Sequence, residues 1–75
     1  MTSAEAQLRA LAERVRIASA DAPDLYDLLT ETAAALHCLA DIAGGDASAR
    51  PLKTIAACGQ NLRTFAFRRR MSPGA

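Results

Sequence analysis

The chain has no tryptophan, one tyrosine and two phenylalanines, and alanine supplies 18 of its hydrophobic residues. Once cysteine and methionine are also set aside, only 16 large apolar side chains remain: nine Leu, three Ile, two Phe, Val15 and Tyr26. Spread over 75 residues, so few large side chains make a marginal core and exclude a large multidomain enzyme. Two cysteines, Cys38 and Cys58, fall short of a disulfide framework. Nowhere do roughly 18 uninterrupted apolar residues occur, so a membrane-spanning helix is not expected. Residues 1–16 interleave Glu5, Arg9, Glu13, Arg14 and Arg16 with apolar residues, which leaves no apolar stretch of signal-peptide kind. The chain therefore reads as cytoplasmic. Its alanine content, and eight Arg against one Lys, suggest a GC-rich gene of bacterial or phage type.

What is present is helical periodicity. The chain is expected to be all-α, one small helical domain over 1–75, with helices at about 3–20, 22–43 and 50–69 and a frayed tail at 71–75. Thr2 and Glu5 have the spacing of a capping box at the first start. Leu8, Leu11, Val15 and Ala18 then recur at threes and fours as a narrow apolar stripe. Glu5–Arg9 and Arg9–Glu13 are spaced to pair on the polar side, and Ile17 falls opposite the stripe.

The first break is Ser19-Ala20-Asp21-Ala22-Pro23-Asp24, with Asp21 or Ala22 as cap and Pro23 in the first turn that follows. Leu25, Leu28, Leu29, Leu36, Leu39 and Ile42 give the second helix an apolar face of nearly half its circumference. A face so wide predicts a central helix with two neighbours. Gly44-Gly45 is the expected left-handed exit. Ser48 or Arg50 opens the third helix, whose stripe is Leu52, Ile55, Ala56, Gly59, Leu62 and Ala66. Glycine inside a helix costs about 1 kcal/mol against alanine, so Gly59 predicts a close approach by a neighbouring helix.

Charge is sorted by segment: +1 over 1–20, −6 over 21–49 with no Lys or Arg, and +6 over 50–75 with no acid. In an antiparallel hairpin of helices two and three, the basic end of one lies beside the acidic start of the other. Dipole compensation accounts for much of this sorting.

No catalytic, cofactor or metal site is expected. Cys38, Cys58 and His37 leave zinc at least one ligand short, and adjacent helical residues diverge by about 100°. His37 and Asp41, four apart, have the spacing of a hydrogen bond on the helix surface, but read rather as a solvated pair beside Tyr26. Cys58 with His37 is the one Cys–His candidate, but His37 points to the polar arc and Cys58 to the apolar one. Gly44-Gly45 follows a helix and lacks the Lys-Ser/Thr of a phosphate loop, and the acids match no calcium loop.

The expected function is a small non-enzymatic protein-interaction module, regulatory or inhibitory, acting as a homodimer or a subunit. Its core would be packed by Leu8, Leu11, Val15, Leu25, Leu29, Leu36, Leu39, Leu52, Ile55 and Leu62, and completed by a second chain as a homodimeric bundle. Ile17, Arg63, Phe65, Phe67, Arg68, Arg69 and Arg70 are the candidate partner-binding residues. The alternative is a nucleic-acid-associated regulator using the basic, aromatic end of helix three. Two features count against it. The loop Gly44–Arg50 is longer than a helix-turn-helix turn, and the only well-placed second helix is the acidic one. A membrane-surface role is weaker still, since the cations cluster at one end instead of along a polar face.

Overall fold

The structure, a computed structural model, describes residues 3–71. It contains three α-helices: α1 (Ala4–Ala20), α2 (Tyr26–Ala43) and α3 (Ala49–Arg70), with a short 3-10 turn (Pro23–Leu25) leading into α2. No strand occurs among the described residues. The expected cap Thr2 and the tail residues 72–75 lie outside them. Ser3 caps α1, its Oγ accepting from the Ala6 amide at 3.1 Å.

The other boundaries follow local chemistry. Pro23 starts the 3-10 turn, where it forfeits no hydrogen bond, and α2 proper begins only at Tyr26. At the far end Gly45 takes φ +101°. Its amide donates to Ile42 O and that of Asp46 to Asp41 O, which is the Schellman pattern that left-handed glycine permits. Ser48 caps α3 by position, but its side chain bonds Asp46 instead of a helix amide.

α1 and α3 both pack on α2 and, among the described residues, their backbones do not meet. Glu5 and Arg9 near the start of α1 lie by the end of α2, with Arg9 on Asp41. Asp41 meets Arg50 near the loop, and Glu31 meets Asn61 nearly three turns away from it. α2 is thus the middle of three side-by-side helices. The whole measures 45 × 26 × 14 Å, close to one helix diameter in its thinnest direction. Its radius of gyration, 13.8 Å, exceeds the roughly 11 Å of a compact chain this long. The protein is a one-layer raft. No helix among the described residues is long and apolar enough to cross a membrane.

Small residues make the seams. Ala12, Ser19, Ala33 and Ala40 are buried where α1 and α2 approach, and Cys38, Cys58 and Pro51 where α2 and α3 do. Short side chains let the helix axes draw together and leave no room for leucine between them. The expected core is corrected accordingly. Leu11, Leu39 and Leu52 stay 44%, 43% and 64% exposed, and Leu8, Val15, Leu25, Leu29, Leu36, Ile55 and Leu62 are only half-buried. Gly59 needs a second correction: a Cβ there would meet nothing within 4 Å, so no helix of this chain approaches it.

Candidate interaction surface

The two faces of the raft differ in chemistry. At about 100° per residue, the seams with α1 and α3 lie on nearly opposite sides of α2. A quarter turn from both, on one side, run Leu29, Thr32, Leu36, Leu39 and Ala43. On the other side run Thr30, Ala34 and Asp41. Arg9 of α1 and Arg50 of α3 both reach Asp41, so the polar sides of the three helices share one face. The apolar stripes, Leu8–Leu11–Val15 on α1 and Leu52–Ile55–Leu62 on α3, are thereby turned with the α2 leucines to the opposite face.

Asp41 organises the polar face. Its Oδ1 accepts from Arg9 Nη2 and its Oδ2 from Arg50 Nη2, each at 2.8 Å. Hydrogen bonds from Arg50 first and Arg9 second hold its carboxyl below the ordinary aspartate range. Arg50 also reaches Asp46 Oδ2 at 3.2 Å. The expected Arg9–Glu13 pair does not form. Arg9 lies 3.7 Å from Glu5 and turns to Asp41, while Glu13 pairs with Arg16. His37, although spaced to reach Asp41, makes no hydrogen bond to it, and the two arginines take both carboxylate oxygens.

A groove of about 530 Å³ opens between α1 and α2, lined by Arg16, Ser19, Tyr26, Thr30, Ala33 and His37 among others. Its aliphatic hydroxyls are engaged by their own helices. Ser19 Oγ donates to the Arg16 carbonyl at 2.6 Å, and Thr30 Oγ1 to that of Tyr26 at 2.9 Å. Cys58 lies in the α2–α3 seam with Glu31 and Cys38 as its charged and thiol neighbours. Burial, then Glu31, raises its thiol to about 11. Both cysteines are free thiols. Among the described residues no three metal-ligating side chains cluster.

The seven candidate partner-binding residues do not form one site. Ile17, 57% exposed, and Phe67, 61% exposed, sit on the outer edges of α1 and α3, far sides of the raft. Phe65 is half-buried and shares a recess of about 150 Å³ with Asp24, Asp27, Leu28, Arg68 and Arg69. Arg69 Nη1 donates to the Asp24 carbonyl at 2.9 Å. Arg63 and Arg70 are exposed. The basic end of α3 lies beside the acidic start of α2.

Sequence reasoning missed Asp41 as the joint of the three helices. Its partner Arg9 is 32 positions away, which no periodicity marks. No family model, curated protein or solved structure matches the chain.

Proposed function

We propose that this chain is a small protein-interaction module, regulatory or inhibitory in role and without catalytic chemistry of its own, that works as a homodimer or as a subunit of a larger assembly. The observation that carries the reading is the leucine face of the raft. A folded chain of 7.9 kDa should expose about 4400 Å², and this one exposes 5349 Å². On the leucine face Leu11, Leu39 and Leu52 stay exposed, and clustered exposed apolar side chains mark an interaction site in a folded protein. Helices two and three supply a hairpin scaffold, and helix one widens the face. Two free cysteines accord with a reducing, cytoplasmic setting.

The basic end of α3 gives a nucleic-acid role less support. Asp24 and Asp27 line the same recess as Arg68 and Arg69 and offset their attraction for phosphate. Affinity capture from native extract, with and without nuclease, tests the reading. A protein partner retained after nuclease treatment, and released when Leu39 is changed to Glu, agrees with it. Retention that depends on intact nucleic acid points to the other role.

A further inference from the structure

We propose that the leucine face is covered by a second copy of this chain, two rafts stacking face to face into a two-layer bundle. The proposal rests on the reading of the chain as an interaction module and names its partner.

Three observations favour a second raft over a smaller occupant. Domains bury their apolar faces between two packed layers, and this chain supplies one. The raft is 26 Å across its three helices, whereas a single docked helix covers about 10–12 Å, so a peptide helix cannot reach the leucines of all three. The chain's total surface, polar and apolar together, exceeds that of a compact protein of its mass by about 950 Å², enough to accommodate the roughly 800 Å² that each partner buries in a stable interface.

Two more favour a copy of the same chain. Within the arcs of Leu8, Leu11 and Val15 on α1 and of Leu36 and Leu39 on α2 no acid or base occurs, and on α3 the arginines Arg63 and Arg70 stand only at the outer margin, beside Leu52. A two-fold contact sets each patch against itself or its equivalent, and the uncharged α1 and α2 part of the face meets that condition without repulsion. All six acids of segment 21–49 fall at its ends, in the α3 seam or on the polar face, away from such a contact. Gly59 also finds an explanation. It lies on this face in mid-helix, where no residue of its own chain requires glycine, and a helix of a second raft crossing there would approach its backbone closely.

The test is sedimentation equilibrium of the full chain from about 1 to 100 µM, where a standard interface is populated. Wild type is compared with Leu39→Glu and Leu11→Glu on the face and Ile17→Glu on the outer edge. Wild type is expected near twice 7.9 kDa. Each face variant should weaken association by about 100-fold or more, since the change enters a desolvated centre twice per dimer. Ile17→Glu should change it by less than about threefold, as edge substitutions do. A dimer that resists both face variants, or that Ile17→Glu breaks, overturns the proposal. If both face variants lose their helical signal, the wild-type melting temperature decides: a rise with concentration supports the second copy, and a constant value overturns it.

A monomeric wild type overturns the second copy in either case. A monomer that binds an apolar dye, with binding abolished in Leu39→Glu, leaves the interaction reading standing. A monomer that binds none removes that reading as well.

Discussion

Arg9 and Asp41, 32 residues apart, join the outer helix α1 to the central helix through a 2.8 Å charge-assisted hydrogen bond. Arg50 takes the other carboxylate oxygen at the same distance, so one aspartate ties the start of α3 to the start of α1 across the end of α2. The Asp41 side chain is 22% exposed, enough shielding for geometry to matter more than in a free surface pair.

Asp41→Asn should therefore lower the melting temperature and loosen the end of the raft near the Gly44–Gly45 loop, seen as faster amide exchange at the starts of α1 and α3. The dependence on pH has a definite sign. The Asp41 carboxyl is held below its ordinary value of 3.8 in the folded chain, so its contribution is present above that value and fades as pH falls through the lower folded value. Wild type should lose more stability than Asp41→Asn on acidification below about pH 4. Equal losses in both would show that the two arginines do not favour the charged form.

Substitutions at the seams and on the face should behave oppositely. Ala40 is fully buried, and Ala40→Leu should cost about 1–3 kcal/mol by forcing α1 and α2 apart. Leu36 is only half-buried in the single chain. Leu36→Ala should therefore cost far less than the usual 2–5 kcal/mol in dilute monomer, and approach about that range only where the chain is assembled. Denaturation at two protein concentrations reads both. An equal, concentration-independent loss for Leu36→Ala would place that side chain inside a core of the single chain.

Cys58 should be a sluggish thiol. With its ionisation pushed up to about 11, little thiolate exists at neutral pH. A disulfide-exchange reagent near neutral pH should modify it much more slowly in folded than in urea-unfolded protein, and the rate should still be rising at about pH 9. Fast modification of folded protein, followed by mass spectrometry of the labelled peptide, would contradict the buried seam.

The basic end of α3 gives a fourth prediction. Arg68, Arg69 and Arg70 together changed to Gln should leave the fold intact, because all three side chains are exposed and the hydrogen bond from Arg69 to the Asp24 carbonyl lies at the surface. Fluorescence anisotropy with random duplex and single-stranded RNA should show at most weak binding in wild type, gone near physiological salt. Submicromolar affinity there would reverse the order of the two functional readings. The triple variant would then show a shallower log-salt slope, by about 0.7–0.9 for each phosphate its arginines had neutralised.

Helix number, order and ends were legible in the sequence because each rests on chemistry within a few residues. Pro23 can only open a helical turn, Gly45 adopts the left-handed exit, and three- and four-residue spacing marks the stripes. The place of α2 in the middle was expected from the width of its apolar arc, but the arc faces outward and both neighbours sit instead against Ala33, Ala40 and Cys38. The candidate surface was legible as a set of leucines, though not as a surface: the stripe residues were recognisable, their exposure was not.

Tertiary structure alone decided how those stripes are used. A stripe says which residues avoid water and nothing about what covers them. Here the close-packing positions went to Ala12, Ala33, Ala40, Cys38 and Cys58, whose short side chains let helices approach, and the leucines were turned a quarter circle away to a common face. The same rotation brought Arg9, Asp41 and Arg50 together across long sequence separation. Helix formation is a local balance of propensity and capping, whereas the choice of facing side is a competition among packings of the whole chain, settled by which side chains allow the axes closest.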